Sequence, residues 1–194
     1  MNFLSHLYLS GTSEGLLLGN FIADSVKGSD YKNYAPEIQQ GIILHRQIDT
    51  FTDTHLIVEE SKKRLREKYH KYAAVIVDIY YDHFLAKNWS NYSNIPLHDY
   101  AQNVYRLIEK NKDILPEKSQ HFTKYMVHYN ILEAYSRLEG IDQVLKGMAS
   151  RATFVSNMEH SIRELEEHYD LFAEEFRLFF PELQQFVNTQ IKIW

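Results

Sequence analysis

The chain has 194 residues, 44% of them hydrophobic and 14% aromatic, so it is long and apolar enough to bury one full core. It has no cysteine, which excludes disulfides, thiolate zinc sites and cysteine nucleophiles and fits a cytoplasmic, reducing compartment. The net charge of −5 argues against a general nucleic-acid-binding protein, the N-terminus does not resemble a signal peptide, and no segment approaches the roughly 18 apolar residues of a membrane span.

Helical patterns cover almost the whole chain. Seven glycines, four prolines and the absence of an Asn-Gly or Asp-Gly hairpin signal disfavour a β-sandwich or barrel, so we predict one compact all-α domain over residues 1–194. Gly28 is expected to end the second helix, Pro36 to open the third, and Ser156 with Glu159 to cap a long late helix. The predicted helices span about 2–10, 14–27, 36–53, 56–68, 70–89, 97–113, 119–138, 141–149, 157–179 and 182–192.

The first two helices each carry a polar residue in an apolar segment. His6 lies in NFLSHLYL, where a lone histidine is more often a hydrogen-bonded core residue than a ligand. Asp24 lies in GLLLGNFIADSVKG, four residues after Asn20. A buried carboxylate costs several kcal/mol unless it is paired or metal-bound. Lys27 is close enough in sequence to pair with Asp24, so ion pairing and metal binding are equally supported.

The third helix contains the segment GIILHRQIDTFTD at 41–53. His45 and Asp49 are four residues apart and therefore share one helix face, and Asp53 continues the same stripe. An imidazole and a carboxylate one turn apart can both reach one metal ion. A simple hydrogen bond between the two side chains is the alternative.

The fifth helix contains AAVIVDIYYDHFLAKNW at 73–89. Asp78 and Asp82 are four residues apart, and like charges at this spacing repel each other, so the helix tolerates a cost that a cation would remove. The alternative is that Asp82 is exposed and only Asp78 is unusual; His83 flanks this stripe and by itself fits a core position. Too few bases share these faces to pair every acid, so we predict a metallohydrolase with a divalent cation between the helices at 14–27, 36–53 and 70–89.

Basic residues are concentrated in two places. The segment KKRLREKYHK at 62–71 has six lysines or arginines against one acid, which describes either a solvated helix face or a docking surface for an acidic partner. Arg151, in a predicted loop after small residues, could bind a phosphate through two hydrogen bonds. The predicted docking surface includes Lys62, Lys63, Arg64 and Arg66.

Taken together, several segments make the chain resemble the acyl carrier protein phosphodiesterases, relatives of the HD-domain metal-dependent phosphohydrolases. These segments are MNFLSHLYLS, LLGNFIAD, GIILHRQIDTFTD, VDIYYDHFLAKNW and VLKGMASR. The resemblance implies an HD-like helical fold, a Mn²⁺ or Mg²⁺ ion, and hydrolysis of the phosphodiester that joins 4′-phosphopantetheine to a serine of holo-acyl carrier protein. Residues that fall on family motif positions are Asp24, His45, Asp49, Asp78, Asp82 and His83. The family often has a histidine where this chain has Tyr8 and an arginine where it has Ala152.

The residue patterns and the resemblance together predict a set of roles. The predicted metal ligands are Asp24, His45, Asp78 and His6. The predicted catalytic side chains are Asp49, Asp82, His83, Lys27 and Arg46. Either Asp49 or Asp82 would orient or deprotonate water. Lys27, Arg46 or Arg151 would stabilise the phosphoryl charge. The run 62–71 would meet the acidic carrier protein. Two alternatives stay open: an HD-like hydrolase of another small phosphoester or nucleotide, and a carrier-protein binding module without activity.

Overall fold

The computed structural model describes residues 1–193, and this part of the chain is helical without any strand. The prediction of an all-α domain is confirmed; residue 194 of the predicted domain lies outside the described residues. None of the described helices combines the length and the apolar character needed to cross a membrane. The helices are Phe3–Leu9 (α1), Glu14–Ile22 (α2), Pro36–Thr54 (α3), Leu56–Tyr69 (α4), Ala73–Lys87 (α5), Leu97–Lys110 (α6), Glu117–His128 (α7), Ile131–Ala134 (α8), Leu138–Ala149 (α9), Ile162–Glu167 (α10) and Tyr169–Ile193 (α11).

Helix α5 lies at the centre of the core. It is apolar almost all round, and most of its residues are buried against α1, α4, α9 and α11. Helix α11 covers it with a ladder of phenylalanines, in which Phe172 packs against Tyr80 and Phe176 against Tyr81 and Phe84. A helix that is apolar on every side is stable only when other helices surround it, so α5 determines where the other elements pack.

The predicted helix boundary at Pro181 is wrong, because α11 continues through this residue. Proline removes one backbone hydrogen bond from a helix interior. Phe179, Phe180 and Leu183 on either side of it are fully buried, so burial of this apolar stripe offsets the lost hydrogen bond.

Two other predicted helices are divided in the structure. The segment predicted as 119–138 is split at Asn130, whose φ of 46° interrupts the helix. The helix predicted as 157–179 is divided at His168, which separates α10 from α11. The capping box predicted for Ser156 and Glu159 at its start does not form, and a short 3₁₀ turn, Met158–His160, leads into α10 instead. Helix interruptions of this kind depend on what each face of the helix packs against, and sequence periodicity does not reveal that packing.

Helices α2 and α3 pack unusually close together through glycines. A Cβ atom at Gly41 would overlap the Leu16 carbonyl oxygen and lie 2.9 Å from the Gly19 Cα. The backbones can therefore approach only because both positions lack a side chain. Contacts progress in the same direction along both helices, from Gly19 with Gly41 to Asn20 with His45, so α2 and α3 run in parallel. This packing places the end of α2 beside the middle of α3.

The start of α1 is attached to α5 by one carboxylate. Asp82 is fully buried and accepts hydrogen bonds from the Leu4 N–H at 2.7 Å, the Ser5 N–H at 3.2 Å and the Ser5 hydroxyl. Asn2 accepts from the Phe3 N–H, so the free N–H groups of the first turn are satisfied. Asp82 thereby caps α1, and it lacks the contact with water that its predicted catalytic role requires.

Candidate active site

A cavity of about 680 Å³ opens between α1, α2, α3, α5 and α7 and brings the predicted acidic helices together. Six of the predicted site residues line this cavity: His6 from α1, Asp24 from the turn after α2, His45 and Asp49 from α3, Asp78 from α5, and Arg151 from the loop after α9. Asp53 from α3 also lines the cavity. Carboxylates from the turn after α2, from α3 and from α5 therefore line one cavity.

Two histidines and two aspartates form the centre of the site. Asp49 bridges the histidines, with one oxygen 3.1 Å from His6 Nε2 and the other 3.1 Å from His45 Nε2. Asp24 lies 3.3 Å from the same nitrogen of His45. The two imidazole rings are stacked, with centroids 3.9 Å apart. One ligand atom each from His6, His45 and Asp49 lies within 4.8 Å of the others, close enough to bind one metal ion.

Asn20 orients His45. The Nδ1 atom of His45 lies 3.0 Å from both the backbone oxygen and the side-chain oxygen of Asn20. The amide nitrogen of Asn20 donates to the His6 carbonyl at 2.9 Å and to Ser10 Oγ at 3.0 Å, which assigns its oxygen to His45. Since both partners of Nδ1 are acceptors, Nδ1 carries a hydrogen, and Nε2 then points at two carboxylates. That arrangement requires a cation at Nε2, either a proton or a metal ion.

The protonation of the site follows from these contacts. Burial alone would lower the pKa of His45, but its contacts with Asp24 and Asp49 outweigh burial and raise the pKa to about 9. Burial, together with the neighbouring His45, lowers the pKa of His6 to about 4. Burial would raise the pKa of Asp49, yet the two histidines hold it far below its usual range. Contact with His45 also lowers the pKa of Asp24. At neutral pH both aspartates are ionised and His6 is neutral.

Asp78 is placed differently from the other predicted ligands. Its carboxylate contacts the Met1 amino group at 2.9 Å, and it is not in the group of His6, His45 and Asp49 whose atoms could hold one ion. Burial raises the pKa of Asp78, while the amino group acts in the opposite direction. The acid that looked least explained in the sequence thus has a cationic partner in the fold.

The structure keeps three other predicted catalytic residues away from the cavity wall. His83 is buried, with Nδ1 2.8 Å from the Tyr135 carbonyl and Nε2 2.9 Å from the Tyr169 hydroxyl. Arg46 donates to the Val26 and Gly28 carbonyls, both at 3.0 Å, and so holds the loop that follows α2. Lys27, in this loop, is exposed and does not line the cavity. Both His83 and Arg46 thus have structural partners that account for them.

The basic run 62–71 is largely neutralised by acids of the same fold. Five of its bases form the pairs Lys62–Glu59, Lys63–Glu60, Arg64–Glu175, Arg66–Glu59 and Lys68–Glu164. Two of these acids belong to α10 and α11, about a hundred residues further along the chain. Lys62 is also buried and donates to the Asp53 carbonyl at 2.9 Å. This run therefore presents much less free positive charge than its sequence suggests.

Helix α7 completes the cavity with residues that the sequence analysis did not single out. Phe122 stacks on Phe3 with ring centroids 4.5 Å apart, and Tyr125 lies next to Phe122. Arg151 lines the same wall, its guanidinium 5.1 Å from the Tyr125 ring centroid. Lys118 lines the cavity from the first turn of α7. The helical spacing of Lys118, Phe122 and Tyr125 was a visible signal, but it also fits an ordinary amphipathic helix.

Comparison with known proteins identifies the family. The family model described as "Acyl carrier protein phosphodiesterase" matches residues 1–183. Among curated proteins of that name, the chain is 34% identical over 184 residues to the one from Yersinia enterocolitica, covering 94% of this chain and 95% of the relative. It is 32% identical over 191 residues to the one from Klebsiella pneumoniae subsp. pneumoniae, covering 98% and 99%. The chain therefore belongs to the acyl carrier protein phosphodiesterase family. No solved structure matches it significantly.

Proposed function

We propose that this protein hydrolyses the phosphodiester between 4′-phosphopantetheine and the serine of holo-acyl carrier protein, using a divalent cation bound by His6, His45 and Asp49. Membership of the family supports the reaction, since the relatives carry the name of this activity. The observation that supports the cation is His45 Nε2, which faces two carboxylates while Nδ1 is occupied by Asn20. We place the activity in the cytoplasm, in line with a chain that lacks cysteine.

The donor set fits Mn²⁺ and Mg²⁺. Two imidazole nitrogens and a carboxylate form a mixed nitrogen and oxygen site, which suits Mn²⁺ well, and oxygen ligands suit Mg²⁺. Asp24, whose side chain is 67% exposed and touches His45, lies outside this group of three ligands, on the solvent side of the site. When bound, such an ion would supply Lewis-acid activation of the phosphoryl group and of the attacking water.

The protein's own residues supply position and proton transfer. Hydrolysis breaks the bond between phosphorus and the serine oxygen, so the attacking water must lose a proton and the serine oxygen must take one up from solvent. Asp24 is ionised and exposed to the cavity, which makes it suited to accept the proton of the water. Asp49 contacts both histidines and is therefore suited to binding the divalent cation and not to accepting the proton. Asn20 keeps the His45 ring in one orientation.

The remaining cavity suits a long, flexible arm that ends in a phosphate. Its volume lies within the range of about 300–1,000 Å³ that is typical of small-ligand sites. Phe3, Phe122 and Tyr125 offer aromatic surface for the pantetheine chain. Arg151, at the end of this aromatic row, is available to a phosphate oxygen.

The direct test is to incubate the purified protein with holo-acyl carrier protein and Mn²⁺ and to follow the carrier by mass spectrometry. We expect loss of the mass of phosphopantetheine, suppression by a chelator, and no reaction with Asp49→Asn. Cleavage of a small diester such as bis-p-nitrophenyl phosphate without any cleavage of the carrier would contradict the proposed substrate. Full activity after exhaustive chelation would contradict the metal site.

A further inference from the structure

We propose that the acyl carrier protein docks on a surface beside the cavity, formed by Lys71, Phe154, Val155 and Lys118 and called here the rim surface. This inference rests on the proposed function, and it assigns the docking site to the rim surface and no longer to the run 62–71. The first reason is the pairing of that run: five of its six bases already face acids of the same fold, so an acidic partner would gain little from them.

The sixth base of the run lies on the rim surface. Lys71 has no acidic partner among residues 1–193, and its ammonium group lies 4.1 Å from the Phe154 ring centroid. Phe154 is 64% exposed and Val155 is 88% exposed, which is unusual for two adjacent large apolar residues. The Tyr72 hydroxyl donates to the Phe154 carbonyl at 3.4 Å and connects this loop to the start of α5. A free cation and an exposed apolar pair therefore share one patch.

The rim surface adjoins the cavity through the chain on both of its sides. Ala74 and Val75, one turn after Lys71, line the cavity, and so does Arg151, three residues before Phe154. Lys118 on α7 is exposed and also lines the cavity, and within the described chain it pairs with no acid. A partner seated here could insert its prosthetic arm toward His6 and His45 while its own body remained outside.

The chemistry of this patch fits an acidic protein better than a small substrate. The enzyme has a net charge of −5, so an acidic carrier protein is repelled unless it meets a local positive region. Unpaired lysines beside the entrance supply that region, and the exposed apolar pair supplies the central contact of a modest protein interface. A small phosphodiester would need neither feature, because it could enter the cavity without touching the rim.

The test compares two double variants that change the charge equally. Lys71→Glu with Val155→Glu alters the rim surface, and Lys63→Glu with Leu56→Glu alters another exposed lysine and apolar residue on α4. We expect the rim variant to raise the KM for holo-acyl carrier protein about tenfold with kcat within about twofold, and the α4 variant to change neither appreciably. Lys71 and Val155 do not line the cavity, so turnover of bis-p-nitrophenyl phosphate should persist in both variants.

Apo-acyl carrier protein, which lacks the arm, separates docking from catalysis. Its binding to the enzyme, measured by calorimetry at low salt, should weaken about tenfold in the rim variant and stay unchanged in the α4 variant. An unchanged KM and unchanged apo-carrier binding in the rim variant would overturn the proposal, as would an equal loss in the α4 variant or an equal loss toward the small diester. If the wild-type enzyme cleaves no holo-carrier, the proposed function fails, and apo-carrier binding alone then decides whether the rim surface docks it.

Discussion

Raising the pH should tighten metal binding in a way that the geometry of His45 predicts quantitatively. A metal ion at Nε2 must replace the proton that Asp24 and Asp49 hold there, and these contacts raise the pKa of His45 to about 9. His6, with a pKa of about 4, is already neutral at pH 6.5 and adds no pH dependence above it. The affinity should therefore rise about tenfold per pH unit, or roughly 100-fold between pH 6.5 and 8.5, which is about 3 kcal/mol.

The metal-free protein should show the opposite trend in stability. The pKa of His45 is raised on folding, so the protonated ring stabilises the fold fully below its unfolded pKa of about 6.5, and this contribution is lost as the pH rises through about 9. The shift corresponds to about 3 kcal/mol, an upper value because Asp24 and Asp49 are partly solvated. Chelated protein should thus unfold more easily at pH 9 than at pH 6.5.

Calorimetric titration with Mn²⁺ measures both parts of this prediction. At pH 7, titrations in two buffers of different ionisation enthalpy should show release of close to one proton per ion bound. A His45→Gln variant, which has no proton to lose, should bind more weakly and with little pH dependence. Binding that releases no proton and does not change between pH 6.5 and 8.5 would refute the protonated Nε2 or its role as a ligand.

Three further substitutions test one residue of the site and two features of the fold that supports it. Asp49→Asn should lower the rate of phosphopantetheine release from holo-acyl carrier protein more than about 100-fold, because the ligand between the two histidines is lost. The helical circular dichroism spectrum should be retained, and unchanged activity would remove Asp49 from the site. Asp82→Ala should destabilise the protein by about 2–4 kcal/mol in urea unfolding, since buried N–H groups of α1 lose their acceptor, and an unchanged midpoint would disprove the capping role. Gly41→Ala should cost at least about 2 kcal/mol and weaken Mn²⁺ binding, because its methyl group would push α2 away from α3; a stable variant with normal affinity would contradict this packing.

The sequence determined most of the helices and indicated several acids of the candidate site. Apolar periodicity with few glycines and prolines indicated helices, and the boundaries of α3 and α4 agree with the prediction to within a residue. His45 and Asp49 were recognisable because a spacing of four residues places two side chains on one face of any helix. The apolar segment around Asp24 drew attention to this carboxylate, but the burial expected from that segment is wrong, because the Asp24 side chain is 67% exposed. These are local properties, so one chain is enough to reveal them.

The tertiary structure decided which of the candidate residues share the site. Asp82 was predicted from the sequence to be a catalytic carboxylate, yet in the fold it caps α1, because the start of that helix lies 77 residues away in sequence and packs against it. The bases of 62–71 looked free until α10 and α11 supplied Glu164 and Glu175. By its own segment His6 fitted a core position, although it was predicted as a ligand, and α1 places its Nε2 atom 3.1 Å from Asp49. Partners distant in sequence give a side chain its charge state and its exposure, and only the packing of helices brings such partners together.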